Sequence, residues 1–222
     1  MLKASTLAFL KLIAKNNNRE WFNANKALYE AAKLDIYSFI ETLLPIFSGI
    51  DPHLSSEASP KKILMRIYRD VRFSKNKDPY KLNYGLAFDV RNYGPRTPSY
   101  YIHIAPGNCF MGIGFWQPEA EVLKQVREEI DYNADKFLSI INAPEFKQFF
   151  SLSQEDKLKT APKGYEKDHS LIEYLRLKSF IAIMPIAETE FLNEAIVEKL
   201  KTAFQNIQPF VLFLRDATQI DQ

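Results

Sequence analysis

The chain has 222 residues, 46% of them hydrophobic and 14% aromatic, with 29 basic and 27 acidic side chains and a net charge of +2. That composition excludes a disordered chain, because the apolar surface is enough to offset chain entropy, and the small total charge gives no global drive toward nucleic acid or a membrane. The single cysteine, Cys109, excludes an intrachain disulfide and any multi-cysteine zinc or iron–sulfur site.

One hydrophobic core can be buried at this length, so a single domain over residues 1–222 is expected. The first fifteen residues read as an amphipathic helix capped by Ser5, with Leu7, Phe9, Leu10, Leu12 and Ile13 on its apolar side. Lys11 interrupts that side and no cleavage site follows, so it does not read as a targeting segment. A second helix starts behind Asn17 or Asn18, with Arg19, Glu20 and Trp21 in its first turn. Its apolar face, from Phe22 through Tyr29, Ala32, Ile36, Phe39 and Ile40 to Leu43, runs on to Pro45, as one helix or as two joined near Asp35. Gly49 to Pro60 is a loop.

The period then changes. Lys62 to Arg69, Tyr84 to Arg91, Ser99 to Ala105 and Cys109 to Trp116 read as short strands bounded by Pro, Gly and Asn turns. Tyr84, Leu86, Phe88 and Val90 share one face of theirs, with Gly85, Ala87, Asp89 and Arg91 on the other. The turns Asn92 to Pro98 and Pro106 to Asn108 are too short for parallel crossovers, so an antiparallel meander is expected. Helices follow: one from Pro118 to about Ile130, one capped by Asp131 or Asn133 to about Ile141, and a short one opened by Pro144. Ser151 to Ser170 reads as irregular, Leu177 to Ile186 as a last strand, and Thr189 to Asn206 and Pro209 to Ala217 as closing helices. The expected class is α+β: an antiparallel sheet of about five strands packed with N-terminal and C-terminal helices. The longest wholly apolar run, Phe180 to Ala187, is far short of a membrane span, and a soluble, cytoplasmic protein is expected.

The usual cofactor and catalytic motifs are missing: GxGxxG, a P-loop, GxSxG and HExxH do not occur. His53, His103 and His169 have no ligand-like spacing, so neither a metal nor a cofactor is expected, and Cys109 reads as a small buried hydrophobe. Gly112 and Gly114 share a strand face that another backbone, an aromatic ring or a ligand can approach; packing against a helix or Trp116 competes with a pocket floor as the cause.

The positive signal lies between Lys61 and Lys81, KKILMRIYRDVRFSKNKDPYK, with eight basic and two acidic residues. This segment carries +6 and the rest of the chain −4. Arg66, Arg69 and Arg72 recur every third residue, interleaved with Tyr68, Phe73 and Tyr80. If Lys62 to Arg69 is a strand, Arg66 and Tyr68 share a face with Leu64, and Arg69 lies with Met65 and Ile67. Arginine forks suit phosphate or carboxylate, and Ser74, Lys75 and Lys77 in the following loop add donors. Arg19 and Trp21 can add a donor and a stacking plane. Equally, the arginines can pair with Asp70, Asp78, Glu20, Glu128 or Glu129 in a salt-bridge network, and Asp70 can orient an arginine, act as a base, or merely neutralise its neighbours.

Asn16 to Lys26 (NNNREWFNANK), Arg66 to Lys81 (RIYRDVRFSKNKDPYK), Tyr100 to Gly114 and Gly164 to Phe180 together resemble the family called domain of unknown function 2461, in order and over nearly the whole chain. The pattern RIYRDxRFSKxKxPYK is specific; a departure is Ser170, where the family has proline after the Asp168–His169 pair. The resemblance implies a single compact domain and no particular reaction, cofactor or catalytic residue.

Three functions follow as alternatives. The first is a pocket for a phosphorylated or carboxylated small ligand, built from Arg66, Arg69, Arg72, Ser74, Lys77 and Lys81, with Tyr68 or Tyr80 as wall and Asp70 as orienter or base. The second is nucleic-acid binding by the same stripe, with Trp21 and the tyrosines as stacking platforms. The third is a purely structural charged clasp tying this segment to the N-terminal helices, in a protein-interaction domain.

Overall fold

The computed structural model describes residues 1–88 and 96–219. The chain begins with helices α1 (Ala4–Lys15), α2 (Arg19–Ala24), α3 (Lys26–Ile50) and α4 (Pro60–Ile63), followed by strands β1 (Tyr84–Phe88), β2 (Ser99–Ile104) and β3 (Cys109–Phe115). Helices α5 (Ala120–Tyr132), α6 (Ala134–Asn142) and α7 (Pro144–Phe149) lead to β4 (Ser151–Leu152), then α8 (Ile172–Leu175), β5 (Phe180–Ile186), α9 (Ala195–Asn206) and α10 (Gln208–Ala217). The fold is α+β, with one antiparallel five-stranded sheet in the order β1-β2-β3-β5-β4. The edge strand β4 pairs with β5 through Ser151 opposite Ile183 and Leu152 opposite Ala182.

The residues group into two compact units. The first comprises Met1–Phe88, Tyr101–Met111 and Pro185–Thr202, and the second 96–100, Gly112–Met184 and 203–219. In the first, α1 packs along α3 and buries Leu10, Ile13, Ile36, Phe39, Ile40 and Leu43. Phe47 meets Phe88 of β1 edge to face at 5.2 Å, and Phe39 meets Phe191 at 6.0 Å. Each such side chain, fully buried, contributes roughly 1.5–3 kcal/mol. In the second, α10 packs on α5 and α6, Phe137 lies between Tyr174 and Phe213, and Phe204 stacks on Tyr100 at 4.5 Å.

Several local expectations are corrected. Ser5 does not cap α1: Lys3 is the cap position, and its N–H and the Thr6 hydroxyl both donate to the Asp35 carboxylate of α3, at 2.8 and 2.6 Å. A neighbouring helix therefore supplies the acceptor that a local cap would have supplied. Asp35 is consequently no joint; the break falls at Asn25, which ends α2 and precedes α3. Helix α3 also continues past Pro45 to Ile50, because Leu43, Leu44 and Phe47 keep its buried face going.

Lys62 to Arg69 is not a strand. Its first residues belong to α4, opened by Pro60, and thereafter only isolated antiparallel bridges form, Leu64 with Leu86 and Tyr68 with Tyr80. Leu64 and Ile67 are buried while Arg66 and Tyr68 are exposed, so the two-residue alternation that put Arg66 and Tyr68 with Leu64 does not hold. The fifth strand is instead Ser151–Leu152, within the stretch read as irregular. Pro118 precedes α5 rather than opening it, and neither Asp131 nor Asn133 caps α6 by its side chain. The closing segment from Thr189 starts as a 3-10 turn, Glu188–Leu192, before α9. Asp89, Val90, Arg91 and the first part of the turn Asn92 to Pro98 lie outside the described residues.

At Gly114 the close approach is made by the backbone of the neighbouring strand, not by a helix or Trp116. Its φ is +133°, and a Cβ there would sit 2.0 Å from the Phe180 carbonyl oxygen.

Candidate functional site

The basic segment forms a loop closed at its neck like the end of an antiparallel pair. The Arg69 N–H donates to the Pro79 carbonyl at 2.9 Å and the Lys81 N–H to the Ile67 carbonyl at 2.7 Å, with Tyr68 opposite Tyr80 between them. In such a non-hydrogen-bonded pair the N–H and C=O of Tyr80 point away from Tyr68. Asn17, beyond the end of α1, takes both: its Nδ2 donates to the Tyr80 carbonyl and its Oδ1 accepts from the Tyr80 N–H, each at 3.0 Å. The Tyr80 ring, 2% exposed, stacks on Phe22 of α2 at 4.1 Å, and Tyr68 lies 5.4 Å from Tyr80. Asn18 caps α2 by accepting from the Trp21 N–H at 2.9 Å, which seats Phe22 for that stack.

Inside the loop several cations are already committed. Arg69 donates to the Asp78 carbonyl at 3.1 Å and to Ser74 Oγ at 3.4 Å, and Lys77 Nζ donates to the Val71 carbonyl at 2.9 Å. Arg72 forks onto Asp70 through Nε at 3.0 Å and a terminal nitrogen at 2.6 Å. That fork and the Arg72 N–H hold the Asp70 carboxyl below the ordinary carboxylate range and push the guanidinium up. The pair is exposed, so solvent screens it. Phe73 at the loop tip is 96% exposed with the Arg72 guanidinium 5.9 Å from its ring.

Beside the neck lies an open cleft of about 240 Å³, lined by Asn17, Arg69, Asp78, Tyr80, Lys81 and Asn83 among others. Lys81 is half-buried, and burial, followed by the charge of Arg66, pushes its ammonium pKa down. Among the described residues neither Lys81 nor Arg66 forms an ion pair. Of the residues named from the sequence, Arg69, Tyr80 and Lys81 line the cleft and Arg66 adjoins Lys81. Arg19 is exposed on α2 and close enough to Tyr80 to act on its hydroxyl. Arg72 with Asp70, and Lys77 with Val71, are engaged within the loop, and Ser74 supports Arg69. Trp21 packs toward Phe9, 6.3 Å between rings. A larger cleft, about 480 Å³ and lined by Leu2, Ala4 and Leu192 with Asp35, has its acid already accepting two hydrogen bonds.

The histidines separate clearly. His169 Nδ1 accepts from the Leu171 N–H at 3.1 Å and Nε2 meets Asp131 at 2.9 Å, so both nitrogens are used to fix its loop on α5. His53 contacts Asp51 at 3.2 Å. His103 of β2 contacts Tyr101 Oη through Nδ1 at 2.8 Å, with Asn83 Nδ2 at 3.4 Å from the same nitrogen. The sequence singles out neither Asn83 nor Tyr101, and of His103 it shows only the lack of ligand-like spacing. Their signals were the i, i+2 placement of Tyr101 and His103 on one strand face and the glycine at 85, where a Cβ would sit 2.7 Å from the Tyr101 hydroxyl. Among the described residues, no group of three or more His, Cys, Asp or Glu side chains is arranged to hold a metal ion, and no helix is long and apolar enough to cross a membrane.

Residues 5–213 match the profile of a family described as "Conserved hypothetical protein (DUF2461)". The chain belongs to that family. The DUF2461 match takes in the whole of the loop, its neck and the cleft beside it. No curated protein and no solved structure matches the chain.

Proposed function

We propose that the protein binds a small ligand through a phosphate or carboxylate group in the cleft beside Tyr80. The observation that carries this reading is Lys81 in the cleft lining, half-buried and without an ion-pair partner among the described residues, its charge disfavoured by burial and then by Arg66. Holding like charges together beside partly buried surface costs free energy, and an anion between them reverses the sign of that term. Arg69 adds a second cation to the lining, already oriented by the Asp78 carbonyl and Ser74. Asp70 and Arg72 satisfy one another outside the cleft and serve the loop's shape rather than the ligand.

The test is a thermal-shift panel of sulfate, phosphate, nucleotides, sugar phosphates and dicarboxylates against the wild type and Lys81→Met. Stabilisation by at least one anion, lost in Lys81→Met, supports the reading; no stabilisation across the panel overturns it.

One observation favours nucleic acid instead: the Phe73 ring, exposed under Arg72, is a stacking platform beside the cationic loop. That reading requires single-strand affinity falling steeply with salt and weakened by Phe73→Ala; salt-insensitive or absent binding removes it.

A further inference from the structure

Resting on the anion-cleft reading, we infer that Asn83, Tyr101 and His103 form the proton-linked wall of that site, and that its ligand group is a phosphate or sulfate taken up together with a proton on His103. Two observations meet here: a positioned imidazole, and one residue shared between that imidazole and the cleft.

The imidazole is held on three sides. Its ring stacks on Phe110 of β3, 4.8 Å between centroids and 10° from parallel. Tyr101 Oη lies 2.8 Å from Nδ1, in a space that exists because residue 85 has no side chain. The Asn83 amide nitrogen lies 3.4 Å from the same Nδ1. Two donors directed at one nitrogen leave it as the acceptor, so the neutral ring carries its proton on Nε2. Burial keeps the ring in this uncharged form, by pushing its pKa below the ordinary histidine value.

Asn83 is the link, since it also lines the cleft. With its NH2 end turned to His103, that donor is committed away from the cleft, where an anion would need it. When His103 takes a proton from solvent, Nδ1 becomes a donor. Tyr101 Oη then accepts, the Asn83 amide turns to present its carbonyl to the ring, and its NH2 end goes to the cleft. An anion bound there favours the protonated ring, and by reciprocity the protonated ring favours the anion. The groups facing His103 are Tyr101 on its own strand, Phe110 on β3 and Asn83 ahead of β1. Lys81, Arg69 and Asp78 are the charged residues of the cleft lining, Arg66 is near enough to Lys81 to act on its charge, and Glu188 sits at the turn between β2 and β3, where it accepts from the Gly107 N–H. A wall that adds positive charge on demand behind Asn83, in a cleft already lined by Lys81 and Arg69, suits a divalent tetrahedral oxyanion better than a monovalent carboxylate.

Sulfate is the probe, because it does not titrate in the range used. Its affinity for the wild type is measured by calorimetry from pH 6 to pH 8, in parallel with His103→Gln, and the ring nitrogens of His103 are followed by NMR with and without sulfate. The expected result is affinity roughly fivefold higher at pH 6 than at pH 8, flat in His103→Gln, with the His103 titration moved upward by sulfate. Sulfate binding whose pH dependence survives His103→Gln, or a His103 titration that sulfate does not move, overturns this inference and leaves the cleft standing. No sulfate binding at any pH overturns the cleft and the inference together. The NMR arm uses only the wild type, so a poorly folded variant does not decide the matter.

Discussion

Asn17 satisfies both backbone polar groups of Tyr80, 63 residues away, with two hydrogen bonds of 3.0 Å. An asparagine side chain thus stands in for the next strand and fixes the neck of the basic loop against the N-terminal helices. The cleft is built on this contact, because Asn17, Tyr80 and Lys81 all line it.

Asn17→Ala leaves a half-buried N–H and C=O without their partner, which costs about 2 kcal/mol. Urea unfolding of the wild type and variant checks this, and the same variant is expected to weaken sulfate binding because Lys81 follows Tyr80 directly. Full stability in Asn17→Ala contradicts the role assigned to the contact.

Lys81→Met and Asp78→Asn move ligand binding in opposite directions. Lys81 is held at a cost, since burial and Arg66 both disfavour its charge, so Lys81→Met is expected to melt no lower than the wild type while losing anion-dependent stabilisation. Asp78 opposes an anion in the same cleft, and Asp78→Asn is expected to tighten sulfate severalfold. Calorimetric titration of both variants at one ionic strength checks the pair of signs.

His103 gives a stability signature without any ligand. Its folded pKa is below the unfolded value of about 6.5, so the unfolded chain binds the proton more readily. The stability it contributes is fully present above that value and is lost as pH falls through it toward the folded pKa. Denaturant unfolding between pH 8 and pH 5 is expected to show a smaller loss in His103→Gln than in the wild type. An identical slope in the two proteins contradicts a half-buried His103 held uncharged.

Gly114→Ala is expected to destabilise by at least about 3 kcal/mol, through a positive-φ penalty and a collision with the next strand's backbone. Gly107→Ala, also at positive φ but with open space around its Cβ, is expected to cost about 1–2 kcal/mol, from strain alone. Thermal denaturation of the two variants separates contact from strain.

By itself the sequence determined what depends on neighbours along the chain. Strand-like runs marked β1, β2, β3 and β5, and helical spacing marked α1, α5 and α10 to within a turn and α3 and α9 in part. The cap at Asn18 and the opening of α7 by Pro144 are equally local, and so is the concentration of positive charge between Lys61 and Lys81. The tertiary structure decided what depends on partners far along the chain. Asp35 replaces a local cap for α1, and the backbone of Phe180 explains Gly114. Lys62 to Arg69 has strand-like composition but only two bridging partners, so it stays a loop neck. Which cations are engaged was also decided there: Arg69 and Lys77 donate to carbonyls and Arg72 to Asp70, while Lys81 lines the cleft without an ion pair among the described residues. Periodicity is written in adjacent residues, whereas a hydrogen bond or a like-charge encounter exists only once distant segments have been brought together.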